Sequence, residues 1–358
     1  MNKRSGIILS GGRSKRFQSP KKEPQDKALV KLLGKPLLIH SIENIREVVD
    51  DVVICVNSEK RKAQYSRVLK KYNLKDVRLH TDEKCNQLGG PILGILTGLL
   101  AVKAEYCFIL PSDMPLLKPK VIDYMFNSIS DARLVVPMWP NGRLETLTMA
   151  IKKSGVQEIV KTLCQLKRPR SDDIIRGALN IVLISIFSDI RALDHKLTSF
   201  ININSKADLS QLQPRQSSGP ITESLRFNLG ELPISELLNL QTASAKVNQD
   251  KIWEASESFS SIAFQLEKEE SFFWAALSRE NEGKTLLSLS QQQTNQELFK
   301  EYALKGKEAL FKAANLYESE AKIYEKFHGI FLAKRARANK QWCELWARDI
   351  SYKKENST

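Results

Sequence analysis

Short, uninterrupted apolar runs alternate with longer amphipathic stretches through the first two hundred residues. The runs lie at 6–10 (GIILS), 52–56 (VVICV), 106–110 (YCFIL), 134–137 (LVVP) and 180–184 (NIVLI). They are continuous rather than alternating, the pattern of strands covered on both faces in a parallel sheet. Helical spacing fills the intervals at 36–49, 59–72, 92–102 and 119–128; in the first of these Leu37, Leu38, Ser41, Ile42, Ile45 and Val48 share one face. Strands alternating with helices of this length predict an α/β fold with a doubly wound, mostly parallel, Rossmann-like sheet. Ligands of such sheets sit beyond the carboxyl ends of the strands, so the residues just after each strand are the candidates for chemistry.

The pattern changes after residue 212. Residues 213–233 hold Pro214, Pro220, Pro233, Gly219 and Gly230, and read as a linker. Beyond it there is no proline, and apolar residues recur at helical spacing: Trp253, Phe259, Ile262, Ala263, Leu266, Phe273, Trp274, Leu277, then Ala303, Leu310, Ala313, Ala314, Tyr317, Ala321 and Tyr324. About four antiparallel helices in an all-α bundle are expected there. Small residues with aromatic partners also suit helical repeats, although no 34-residue period holds. The expected organisation is an α/β domain over 1–212, a linker over 213–233 and a helical accessory domain over 234–358.

Charge sharpens this division. The 358 residues carry a formal charge of +14, and residues 1–200 hold 34 basic and 20 acidic side chains against 21 of each in 201–358. The first part should therefore attract a polyanion. A polyphosphate ligand fits better than nucleic acid, because no helix-turn-helix, RNA-recognition or zinc-finger pattern appears. The longest mainly apolar stretch, 91–102, falls short of the roughly 20 residues that span a bilayer, and the N-terminal apolar run is too short for a secretory signal. The five cysteines form no CxxC, so reduced thiols and a cytoplasmic location are expected.

Four segments carry candidate chemistry. Leu9-Ser10-Gly11-Gly12 follows the first strand, with Arg13, Lys15, Arg16 and, after an interval, Asp26-Lys27. Paired glycines bring backbone N–H groups close to an anion and the cations neutralise it; neither a Walker A nor a GxGxxG pattern is present. Pro111-Ser112-Asp113-Met114-Pro115 follows the strand at 106–110 and sets an acid at a strand's carboxyl end, suited either to a Mg²⁺ shared with substrate phosphates or to capping a turn. Gly89-Gly90-Pro91, ahead of Gly94 and after Asp82, either exposes backbone to a ligand or initiates a close-packed helix. Ile201-Asn202-Ile203-Asn204-Ser205 places Asn202 and Asn204 on one face, toward a phosphate or metal-bound water, unless Asn204 or Ser205 only caps the following helix.

Together these segments resemble the molybdenum cofactor guanylyltransferase family, within the GT-A-like nucleotidyltransferases. The family start LAGGxSxRMGxxK is similar to LSGGRSKRF with Asp26-Lys27 later; GPLAG resembles Gly90-Pro91-Ile92-Leu93-Gly94; the D-x-P turn resembles Asp113-Met114-Pro115; and xNxNTPxDL resembles residues 201–209. The resemblance covers about residues 5–212. Where relatives often carry an Asn closing the second strand, this chain has Cys55, with Asn57 two residues on. Leu144-Glu145-Thr146-Leu147-Thr148 only loosely resembles the family's substrate loop.

The resemblance implies GTP binding by Leu9, Ser10, Gly11, Gly12, Lys27, Asp82, Gly90, Pro91 and Asp113, and catalytic roles for Lys15, Arg16, Lys27 and Asp113. It also implies Mg²⁺ ligation by Asp113 and a polar contribution from Asn202 and Asn204 near the reacting phosphates. The implied reaction transfers GMP from GTP to a molybdopterin carrying molybdenum or tungsten, releasing pyrophosphate. No Ser/His or Cys/His nucleophile is needed, and none is evident. Three alternatives stay open: a cytidylyl- or sugar-phosphate-type nucleotidyltransferase, and a non-catalytic nucleotide-binding protein acting through its helices. The helical region lies outside the resemblance; a molybdenum-insertion protein or an acceptor apoenzyme is the partner expected for it. No nucleic acid or membrane partner is expected.

Overall fold

The computed structural model describes residues 3–12, 26–82, 89–213 and 217–349. They divide into two compact units, one formed by 1–160 with 168–228 and the other by 161–167 with 229–358.

The first unit is built on an eight-stranded sheet. Its strands are β1 (Arg4–Ser10), β2 (Asp51–Val56), β3 (Arg78–Thr81), β4 (Tyr106–Pro111), β5 (Leu134–Met138), β6 (Met149–Lys152), β7 (Asn180–Ser185) and β8 (Leu225–Asn228). Across the sheet they run β8-β7-β5-β6-β4-β1-β2-β3. The block β3-β2-β1-β4 is parallel throughout, as is the β5–β7 pair; β6 is antiparallel between β4 and β5, and β8 is antiparallel to β7. The five apolar runs thus all form strands. The strands that periodicity does not reveal are β3, β6 and β8, each four residues long. Residues 225–228, within the stretch expected as a linker, form β8 at one edge of the sheet, where Phe227 is 1% exposed.

Helices cover both faces, as adjacent residues of β1 show. A Cβ on Gly6 would lie 2.6 Å from Ile45 Cδ1 of α1 (Leu37–Arg46), whereas a Cβ on Gly98 of α3 (Pro91–Ala101) would overlap Ile7. Successive residues of a strand point to opposite faces, so α1 and α3 lie on opposite sides of β1. The α1 face continues through Ile8, Ile54 and Phe108 into Tyr65 and Leu69 of α2 (Glu59–Lys71) and Val121, Ile122 and Met125 of α4 (Pro119–Asn127). A smaller cluster of Val30, Leu32, Leu37, Ile201 and Ile203 brings the segment after Lys27 against the segment carrying the two asparagines.

In the second unit five helices are described: Ile234–Asn248, Ile252–Lys268, Phe272–Gln291, Gln296–Lys326 and Ile330–Asp349. Each packs on the next in sequence, joined by short turns, the arrangement of antiparallel neighbours. Three of the turns are made by residues in the left-handed region, Asp250, Glu270 and His328, where glycine is the usual choice. The third and fourth helices approach through paired glycines: a Cβ on Gly283 would lie 2.9 Å from Gly306 O, and one on Gly306 would lie 3.1 Å from Gly283 O. No helix among the described residues is long and apolar enough to cross a membrane.

Candidate active site

The carboxyl ends of the four parallel strands form one row. Asp82 follows β3, Asn57 follows β2, Gly11 and Gly12 follow β1, and Asp113 follows β4. Neighbouring strands lie about 4.8 Å apart, so the row spans ~14 Å, enough for an extended nucleoside triphosphate.

At the β4 end, three separate segments converge. Lys27 opens a short 3₁₀ turn (Lys27–Leu29), and its Nζ forms an ion pair with Asp113 Oδ2 and donates to Asn204 Oδ1 at 2.8 Å. The Asp113 carbonyl accepts from Ile203 N at 2.9 Å, tying the two loops together. Asp113 Oδ1 is buried without a hydrogen-bond partner. Leaving a buried carboxylate oxygen unpaired costs free energy unless a ligand or ion completes it. Capping of the helix Lys206–Ser210 falls to Ser205, whose side chain and Asp208 make a capping box, which leaves Asn204 for Lys27. Asn202 lies half-buried two residues earlier.

The loop leading to these asparagines is anchored by Asp194, which is fully buried and accepts from Lys118 Nζ at 2.7 Å and from Ser199 N at 2.8 Å. Burial pushes its carboxyl upward, but the bonds from Lys118 and Ser199 outweigh burial and hold it below the usual range.

At the β3 end the Asp82 backbone continues the sheet, with its N donating to Val56 O at 2.7 Å. Its Oδ1 is buried and unpartnered, and burial raises its pKa to about 6, partly countered by the Arg61 charge. Two glycines flank the carboxylate: a Cβ on Gly11 would sit 3.4 Å from Oδ2, and one on Gly94 would sit 3.5 Å from Oδ1. Gly90, the residue ahead of α3, has φ +102°, and a Cβ there would lie 2.9 Å from Pro169 O, so glycine is required on both counts. Pro91 occupies the first position of α3.

Between the two ends stands the glycine turn, held from beneath. Ser10 Oγ shares a hydrogen bond with Tyr65 OH at 2.7 Å and accepts from Ser112 Oγ at 3.1 Å; Tyr65 OH donates to Asp26 Oδ2 at 3.0 Å. Asn57 Nδ2 donates to Gly11 O at 2.8 Å. Arg61, which sequence reasoning passes over, bonds to this turn as well.

Residues 6–178 match the MobA-like NTP transferase domain. A Methanosarcina mazei protein named "Probable molybdenum cofactor guanylyltransferase" is 30% identical over 209 residues, which cover 58% of this chain and 89% of that one. The molybdenum cofactor guanylyltransferase of Desulfosudis oleivorans is 30% identical over 221 residues, 61% of this chain and 98% of that one. The chain belongs to the molybdenum cofactor guanylyltransferase family. Its members are nucleotidyltransferases, and this chain is one of them. A solved structure of molybdopterin-guanine dinucleotide biosynthesis protein A from Archaeoglobus fulgidus aligns with TM-score 0.47 at 21% identity, covering 59% of this chain and 96% of that chain.

Within this guanylyltransferase family member, the structure brings Lys27, Asp113 and Asn204 into one hydrogen-bonded cluster and aligns it with Gly11, Gly12 and Asp82. Lys15 and Arg16 lie outside the described residues. No group of three or more His, Cys, Asp or Glu side chains that could hold a metal occurs among the described residues. A divalent ion here would instead rest on the free Oδ1 of Asp113 and substrate oxygens. That sparse oxygen set suits a hard divalent ion that takes one or two carboxylates together with phosphates.

Proposed function

We propose that the protein transfers GMP from Mg·GTP to the terminal phosphate of molybdopterin. The observation that carries this reading is the joining of Lys27, Asp113 and Asn204 from three distant segments at the end of a row that begins with Asp82, whose buried Oδ1 has no hydrogen-bond partner.

The triphosphate would lie over the glycine turn with its α-phosphate near Lys27. An oxygen of the molybdopterin phosphate attacks the α-phosphorus, the bond from that phosphorus to the β-phosphate oxygen breaks, and pyrophosphate leaves. Two anions must approach, and at 4 Å unit like charges repel by about 1 kcal/mol in water and ~4 kcal/mol at an effective dielectric of 20. Lys27 offsets this repulsion and stabilises charge on the departing pyrophosphate. When bound, Mg²⁺ held by Asp113 supplies Lewis-acid polarisation of the phosphoryl oxygens. Asn204 keeps the Lys27 ammonium oriented by accepting one of its three donors.

Base choice follows from Asp82. An ionised carboxylate is acceptor-only, and guanine presents two adjacent donors, N1–H and N2–H, to it. Cytosine presents one donor beside acceptors, which a carboxylate would repel. With a pKa of about 6, Asp82 is mainly ionised at neutral pH. The test is pyrophosphate release with GTP and CTP in parallel, each with Mg²⁺ and molybdopterin. Release with GTP alone is expected; release with CTP at an equal or greater rate would overturn the guanylyl reading.

A further inference from the structure

Three consecutive carbonyls of the glycine turn accept hydrogen bonds from Asn57, just before α2, and Arg61 in its first turn. Asn57 Nδ2 donates to Gly11 O, while Arg61 Nη1 and Nη2 donate to Ser10 O and Gly12 O, both at 3.0 Å. The same guanidinium donates from Nη1 to Asn57 Oδ1 at 3.0 Å and pairs through Nε with Asp26 Oδ2 at 2.7 Å. Four of its five N–H donors are thereby engaged in one rigid fork. Asp26 precedes Lys27 and accepts from Ala28 N at 3.1 Å, so one side chain fixes both the turn and the base of the Lys27 segment.

The position of Arg61 is locally unfavourable. It is the third residue of α2, beside the positive end of the helix dipole. A cation placed against local preference needs a compensating role. Here the role lies in peptide geometry. In a trans peptide the C=O and N–H point in opposite directions. Drawing the carbonyls of Ser10 and Gly11 toward α2 turns the N–H groups of Gly11 and Gly12 to the other side. A polyphosphate arriving there meets donors rather than carbonyl lone pairs.

We propose that Arg61 is a positioning residue that presents the amide edge of the Ser10–Gly12 turn to a polyphosphate. It acts through the backbone and not as a point charge on the ligand. The inference rests on the nucleotide-binding reading above, but it can fail separately from the choice of base.

The two parts separate by titrating wild type, Arg61→Lys and Arg61→Ala with inorganic tripolyphosphate, GTP and guanosine at pH 8, alongside thermal melts. Lysine keeps the charge but offers three donors from one tetrahedral atom, which cannot reach four acceptors. Arg61→Lys should therefore lose at least tenfold in affinity for tripolyphosphate and GTP, close to the loss in Arg61→Ala, while its melt and guanosine affinity stay at wild-type values. Tripolyphosphate affinity within twofold of wild type in Arg61→Lys would overturn the proposal, since charge alone would then suffice. So would a parallel loss of guanosine affinity and melting temperature, which marks a general structural role, or an absence of tripolyphosphate binding in the wild type. If tripolyphosphate binding behaves as expected but CTP binds as well as GTP, the Arg61 role stands and the guanine reading falls.

Discussion

Protonation of Asp82 should switch off recognition of the base. Burial raises its pKa from 3.8 to about 6, and its buried Oδ1 has no hydrogen-bond partner. With that value Asp82 is ~90% ionised at pH 7 and ~10% ionised at pH 5, so affinity for guanosine should fall about tenfold between them, about 1.4 kcal/mol. Guanosine is the proper probe because it has no phosphate to titrate in the same range. Isothermal titration from pH 5 to 8 should give an affinity that climbs through pH 6 and then levels. Asp82→Asn removes the titrating group and should bind weakly with no such slope. The unliganded protein should respond in the opposite sense. A carboxylate whose folded pKa exceeds its unfolded value binds more protons when folded, so its stabilising contribution is present below about pH 4 and is lost as pH rises through about 6. Guanosine affinity that is flat from pH 5 to 7 in the wild type would refute the assignment of Asp82 to the base.

Three further outcomes are expected. Asp113→Asn should lower turnover about 100-fold or more, the scale of losing a charge-stabilising group at a phosphoryl centre; steady-state pyrophosphate release within threefold of wild type would exclude Asp113 from the chemistry. Gly98→Ala forces a methyl into Ile7 where α3 lies on β1, and should destabilise the first unit by ~1–3 kcal/mol in urea titration; an unchanged midpoint would show that the helix can lift at no cost. Gly283→Ala should destabilise the helical unit by a similar ~1–3 kcal/mol, because the added Cβ meets the Gly306 carbonyl and Leu310 Cγ, the latter at 2.7 Å; hydrogen exchange confined to residues 272–326 should report it, and unaltered protection there would contradict the packing.

The long strands and the candidate residues were legible for different reasons. Continuous apolar runs identify β1, β2, β4, β5 and β7 because burial on both faces confines polar residues to the strand ends. β3 is the contrary case: its residues Arg78, Leu79, His80 and Thr81 are exposed or half-buried at the sheet edge, so no apolar run marks it. β6 and β8 are four residues long and pair antiparallel to their neighbours, which a search for parallel βαβ units does not seek. In the helical unit the spacing of Ala and aromatic residues was clear. The turns were hidden, because Asp250, Glu270 and His328 take the left-handed conformation without the glycine that usually signals it.

At the site, Lys27, Asp113 and Asn204 were each visible as a motif, but their meeting is a property of the fold. Nothing in the spacing of 27, 113 and 204 says that one ammonium will bond both partners. Arg61 was invisible for a subtler reason. In Glu59-Lys60-Arg61-Lys62 it reads as one more cation on a basic helix, and only the carbonyls of Ser10 and Gly12 beneath it set it apart. A hint existed in its place near the helix N-terminus, where a basic residue is disfavoured. Asp194 was likewise unmarked, since its work is to pin the loop before the asparagines.

The most direct test of the account is the mass of the product formed when the protein is incubated with GTP, Mg²⁺ and molybdopterin. The account predicts molybdopterin guanine dinucleotide with one pyrophosphate released for each GMP transferred, formed about 100-fold more slowly when Asp113 is replaced by Asn. Molybdopterin recovered unmodified, or carrying a cytidylyl group when CTP is also supplied, would contradict it.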